Sequence, residues 1–233
     1  LGSDSVGNMI VSDLVREGVD VSLCDRSGAR SSFSSVLVDA RGERQIVNYR
    51  GSGLIESTGH IADAPDVAVI LADTRWTEGA LAAMELAKAR GVPGVLDVEA
   101  PAETDAFGPA THRAYSMQGL ASFYPGRDPA EAIAESVAEH GGWACVTLGE
   151  DGVLFHGPEG QGHVPGYEVK AVDTLGAGDV WHGAFALRLA EGAGEVEAIR
   201  FANAVAAIKC TRPGGRAGTP NRVETENFIR EMA

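Results

Sequence analysis

The chain has 233 residues, 44% of them hydrophobic and 22% charged, which suits a globular protein with room for one substantial α/β core. A formal net charge of −14 excludes a surface built for nucleic acid, whose phosphates need a basic face, although a small anion can still be bound locally. No stretch approaches the roughly 18 apolar residues that span a bilayer, and Leu1-Gly2-Ser3-Asp4 lacks the basic start and apolar run of a secretory leader, so no membrane partner and a cytoplasmic location are expected.

Val6, Met9, Ile10 and Leu14 recur at helical spacing, and Gly18 ends that helix. Val19 to Leu23 reads as a short strand. Ser34 to Asp39 and Gln45 to Tyr49 flank an Arg41-Gly42 turn and predict a β-hairpin, either an antiparallel edge or a small lid. From Val67 the chain alternates strand and helix. Val67 to Leu71 is a continuous apolar run of the kind buried on both faces, followed by a helix over 77–90 and a strand over 94–97. A strand over 113–116, a helix over 129–140 and strands over 143–148, 153–156 and 167–172 come next. Helices over 177–191, 195–211 and 223–232 complete the series. This rhythm predicts an α/β fold with a mainly parallel sheet and helices on both faces. No repeat, low-complexity tract or linker divides it, so residues 1–233 are expected to form one domain.

Cys24, Cys145 and Cys210 lie far apart with no metal-ligand spacing, and the six histidines form no HExxH-type cluster. Reduced cysteines and no protein-built metal site are therefore expected.

The chemistry concentrates in the run from Asp173 to Phe185, Asp-Thr-Leu-Gly-Ala-Gly-Asp-Val-Trp-His-Gly-Ala-Phe. Small residues at Gly176, Ala177 and Gly178 let the backbone approach a ligand, and the first helical turn then offers free N–H groups and a favourable dipole to an anion. Asp179 cannot itself bind an anion there. It suits a base that takes a proton from a hydroxyl attacking a nearby phosphate. A GxGD string alone could equally be a glycine turn with an aspartate cap. It is neither a Walker A loop nor a dinucleotide GxGxxG.

The whole run resembles the signature D-T-x-G-A-G-D-x-(aromatic)-x-G-A-(aromatic) of the ribokinase-like (PfkB) carbohydrate kinases, and the resemblance extends over nearly all of the chain. Thr147-Leu148-Gly149-Glu150-Asp151-Gly152 is similar to the family's T-x-G-x-x-G segment along the nucleotide, and residues 206–215 to the region near the adenine pocket. The resemblance implies a ribokinase-like fold with a small β lid, ATP with Mg2+ as donor, and a small-molecule sugar as acceptor. It implies Asp179 as catalytic base, Gly176, Ala177 and Gly178 as the anion hole, and Thr147, Gly149, Gly152 and Gly214 as nucleotide-binding residues. A homodimer is compatible with it.

Two departures stand out. The chain begins at a stretch similar to the family's later V-G-x-D, so the opening strand and Gly-Gly segment that help hold the sugar are expected to be absent from this sequence. The family's N-x-x-E falls at Ser116-Met117-Gln118-Gly119, without either polar anchor, which leaves the metal to phosphates and water.

Residues 45–49, 71–76 and 209–218 are similar to the matching stretches of bacterial sulfofructose kinases, in which an asparagine and an arginine hold the sulfonate. The matching residues are Asn48 and Arg75. A guanidinium past the carboxyl end of a strand suits an oxyanion. Plainer roles are an ion pair of Arg75 with Asp73 or Glu78, and a strand-end turn for Asn48. The expected reaction is ATP-dependent phosphorylation of sulfofructose to its 1-phosphate. The alternatives are a kinase for a neutral ketose, ribose or ketodeoxy sugar acid, and a catalytically silent sugar- or nucleotide-binding module, against which Asp179 argues.

Overall fold

The computed structural model describes residues 1–26, 28–38, 44–54, 57–100 and 103–232. These fall into two units, residues 1–64 and 65–233, each with its own internal contacts.

The first unit opens with α1 (Ser5–Arg16). The Asp4 carboxylate caps it by accepting the Gly7 N–H at 2.9 Å, and also accepts the Ser31 hydroxyl at 2.8 Å, which fixes the helix start to the chain entering the hairpin. That hairpin is β1 (Phe33–Val38) paired antiparallel with β2 (Arg44–Tyr49), a two-stranded sheet of its own. The expected Arg41-Gly42 turn, with Asp39, lies outside the described residues. The expected strand over 19–23 does not form. Asp20 accepts the Ser22 N–H at 2.8 Å and the Cys24 N–H reaches the Val21 carbonyl at 3.0 Å, so local bonds turn a segment that apolar composition alone marked as extended.

The second unit is built on a six-stranded sheet in the order β3 (Ile70–Asp73), β4 (Gly94–Val98), β5 (His112–Ser116), β6 (Trp143–Thr147), β7 (Val153–Gly157) and β8 (Gly160–Val164). The first four run parallel and the last two antiparallel. Successive residues alternate between two cores, as a strand's period requires: Val95, Ala114 and Cys145 face one, and Leu96, Tyr115 and Val146 the other. The first core is closed by α5 (Ala177–Ala190) and α6 (Glu195–Cys210), with α7 (Arg222–Met232) against α6. The second is closed by α2 (Thr77–Arg90), α3 (Met117–Phe123) and α4 (Pro129–His140). The mainly parallel sheet with helices on both faces is thus as expected.

The helix limits follow local chemistry. Asp128 caps α4 through the Ala130 N–H at 2.9 Å with Pro129 in its first turn, and Gly91 ends α2 in the left-handed region. Two strand expectations change, and one strand was not foreseen. Pairing in β3 starts only at Ile70, and its residues alternate between half-buried and exposed rather than being covered on both faces, because β3 is the edge of the described sheet. Residues 167–172 form no strand; the N–H groups of Val172 and Asp173 both go to the Cys210 carbonyl, and Tyr167, Glu168, Val169 and Ala171 line a cleft instead. The strand β8, Gly-Gln-Gly-His-Val, has too little apolar character to be read from sequence. Among the described residues no helix is long and apolar enough to cross a membrane.

Candidate active site

The four parallel strands end on one edge of the sheet, where open α/β sheets place their ligands. Facing that edge is the start of α5. Gly176 is its N-cap at φ 76°, a left-handed conformation that a side chain disfavours, and it swings the chain so that Ala177, Gly178 and Asp179 form the first turn. Gly178 and Asp179 are both exposed. The loop before the helix is held by Asp173, whose carboxylate accepts the N–H groups of Leu175 at 2.8 Å and of Gly214 and Gly215 at 3.0 Å each. Those donors, Gly215 foremost, hold its pKa down at about 2. Lys209, fully buried, donates to the Asp173 carbonyl at 2.8 Å with its ammonium 3.6 Å from the Asp173 carboxylate.

The turn opens into a cleft of about 640 Å³. Thr147, Gly149 and Gly152 line one side, Ala177 and Gly178 the end at the start of α5, and Ala206, Ala207 and Cys210 of α6 another wall. Gly214 lies beyond the lining residues, and its N–H is spent on Asp173.

Beside the turn the strand ends carry charge. Arg75 follows β3; its own N–H donates to Asp73 at 2.7 Å and its guanidinium pairs with Glu99, rather than with Asp73 or Glu78. The Thr74 hydroxyl donates to the Glu99 carbonyl at 2.9 Å and accepts the Glu99 N–H at 3.1 Å, binding the ends of β3 and β4 together. Asp97 of β4 is the most perturbed carboxyl. Burial, then repulsion from Glu99, Asp179 and Asp73, raises its pKa to about 7. Its partner is His182 of α5, whose Nδ1 lies 3.4 Å from the Asp97 carboxylate and 2.8 Å from the Gly178 carbonyl. Neither Asp97 nor His182 stood out in the sequence: a lone aspartate at a strand end and a histidine inside a helical signature have no spacing to mark them.

Asn48 lies in the first unit, on β2 opposite Ser34, whose hydroxyl donates to its Oδ1 at 2.6 Å. At residues 116–119, Ser116 caps α3 by accepting the Gly119 N–H at 3.0 Å. A Cβ at Gly119 would stand 2.4 Å from the Val98 carbonyl, so a larger residue cannot occupy that position without moving α3 off β4. Among the described residues no group of three or more histidine, cysteine or acidic side chains could hold a metal ion.

Comparison with known proteins identifies the family and the fold. The model of the pfkB family carbohydrate kinase matches residues 1–222. The ribokinase of Haemophilus influenzae is 30% identical over 249 residues, covering 98% of this chain and 79% of its own. The solved structure of a ribokinase candidate from Agrobacterium tumefaciens superposes with a TM-score of 0.89 at 34% identity, over 99% of this chain and 78% of that one. A ribokinase of Arabidopsis thaliana, solved with ribose and ATP, shares the fold with a TM-score of 0.80 at 21% identity, over 99% of this chain and 80% of that one.

Proposed function

Since the chain belongs to the pfkB family of carbohydrate kinases, we propose that it transfers the γ-phosphoryl group of ATP to a sugar hydroxyl, with Asp179 as the base. The observation that carries this is the turn Gly176–Asp179, a helix start that faces the end of a nucleotide-sized cleft with a carboxylate beside it.

Each part then has one task. Thr147, Gly149 and Gly152 lie along the nucleotide, with Gly214 and Asp173 shaping the loop beneath it. The backbone of Gly176, Ala177 and Gly178 receives the equatorial oxygens of the transferring phosphoryl, where negative charge spreads in the transition state. Asp179 accepts the proton of the attacking hydroxyl and orients its lone pair. Magnesium, when bound with the nucleotide, supplies charge neutralisation of the β- and γ-phosphates. The described side chains offer it no cage, which suits an ion held through phosphate oxygens and water.

For the acceptor we infer sulfofructose, phosphorylated at its 1-hydroxyl, with Arg75 on the sulfonate. The likeness of residues 45–49, 71–76 and 209–218 to sulfofructose kinases and the exposed guanidinium at the sheet's carboxyl edge support it. A neutral ketose or ribose is the second reading, favoured by the Glu99 partner that Arg75 already has. Residues 1–233 act as one kinase domain on either reading.

The test is kcat/KM for sulfofructose, fructose and fructose 6-phosphate with MgATP, on wild type, Arg75→Ala and Asp179→Asn. Asp179→Asn should lower kcat on every sugar by about 10²–10⁴. Arg75→Ala should lower sulfofructose use by roughly 30-fold or more while fructose changes little. Equal losses on both sugars would make Arg75 structural, and near-normal turnover in Asp179→Asn would remove the base.

A further inference from the structure

Within the second unit, the groups behind the proposed base form an uncommon arrangement. His182 lies one helical turn after Asp179, so its side chain runs down the inner face of α5 toward the sheet. It is buried, with 5% of its surface exposed. Its Nδ1 stands 2.8 Å from the carbonyl of Gly178, the residue whose peptide joins the anion turn to Asp179. A carbonyl can only accept, so Nδ1 carries the proton. The same nitrogen lies 3.4 Å from Oδ2 of Asp97 at the end of β4. The Ala114 carbonyl of β5 also faces the ring.

We propose that His182 and Asp97 are positioning residues for phosphoryl transfer: the imidazole fixes the Gly178–Asp179 peptide against the sheet, and the protonation of Asp97 sets the charge beside the base. The proposal deepens the kinase reading and rests on it for its kinetic part.

The charges around the pair give it a direction. Asp97 faces Asp73 and Arg75 at the end of β3, Glu99 just beyond its own strand, and Asp179 and His182 on α5; Cys145 of β6 lies near enough to feel its charge. Three of these are carboxylates and one is a guanidinium already paired with Glu99, so a fourth negative charge at Asp97 is resisted until near-neutral pH. Burial lowers the pKa of His182 rather than raising it. It therefore does not supply a permanent counter-ion. Below neutrality Asp97 holds a proton, and Asp179 works beside a neutral neighbour. Above it, Asp97 is charged, the base sits next to a second negative charge, and uptake of the sugar hydroxyl's proton is favoured. The catalytic rate should accordingly rise through an ionisation that belongs to Asp97.

Two readouts test this. The first does not require turnover: the imidazole of His182 is followed by NMR from pH 5 to 9 in wild type and Asp97→Asn. The expected result is an Nδ1–H tautomer whose chemical shift moves near neutrality in wild type and is flat in the variant. An Nε2–H tautomer, or an unchanged titration in Asp97→Asn, would overturn the brace. The second is the pH profile of kcat with MgATP and the best acceptor. The rising limb should vanish in Asp97→Asn. His182→Leu should lower kcat by at least about tenfold with KM for ATP within about twofold, since a small misplacement of the reacting groups is enough for such a loss. His182→Asn, whose amide N–H can stand where Nδ1 stands, should recover most of it. Equal losses in the Leu and Asn variants, or a rising limb retained in Asp97→Asn, would refute the catalytic role. Wild-type protein with the NMR signature but no turnover on any sugar would sink the kinase reading and leave the brace standing.

Discussion

Removing the charge at Asp97 should change how stability depends on pH. Its side chain is 16% exposed, and its pKa rises from 3.8 to about 7 on folding. The folded protein therefore binds this proton more tightly than the unfolded chain does. The resulting stabilisation is complete below about pH 4 and is lost as pH rises through about 7. Roughly three pKa units correspond to about 4 kcal/mol as a ceiling, at about 1.4 kcal/mol per unit. Asparagine keeps the shape and lacks the proton. Urea unfolding of ligand-free wild type and Asp97→Asn between pH 4.5 and 8 should show the stability difference moving by about 3 kcal/mol in favour of the variant. The comparison cancels titrating groups remote from Asp97; His182, 3.4 Å away and with its pKa lowered, gives the opposite slope and is read separately from its NMR titration. Two curves that stay parallel within about 0.5 kcal/mol would show that Asp97 ionises as freely in the fold as out of it, a gap well inside the scatter expected for independent sites.

Gly178→Ala separates ligand approach from folding: nothing lies within 4 Å of the added Cβ, so the unfolding midpoint should hold while kcat falls at least about tenfold. A lowered midpoint with kcat intact would place that glycine in the fold's service alone. Gly119→Ala, aimed 2.4 Å from the Val98 carbonyl, should cost about 1–3 kcal/mol, and unchanged thermal melting would contradict the close packing of α3 on β4. Lys209→Met leaves the Asp173 loop without its buried cation and should destabilise by up to about 3–5 kcal/mol in chemical unfolding; a neutral result would mean the backbone N–H donors hold Asp173 unaided.

The sequence was most legible where short-range chemistry decides. The limits of α2 and α4 are written in Gly91 and in Asp128-Pro129, and the turn at the head of α5 in its run of small residues. The segments over 19–23 and 167–172 misled because apolar alternation reports only that a strand could be buried, not that a partner is beside it; bonds to Asp20 and to the Cys210 carbonyl settled both. Asp97 and His182 were invisible because their character is collective. It arises only when parallel strands bring Asp73, Asp97 and Glu99 to one edge and α5 lays Asp179 and His182 across it. The Ser116 to Gly119 segment, read as a lost polar pair, has its own logic, since the helix it starts can pack only on a glycine.

Among the described residues, β1 and β2 pair only with each other, and the six strands that carry the cleft and the start of α5 form a separate sheet. A lineage can therefore edit the hairpin, Asn48 included, without re-registering a strand of the six-stranded sheet.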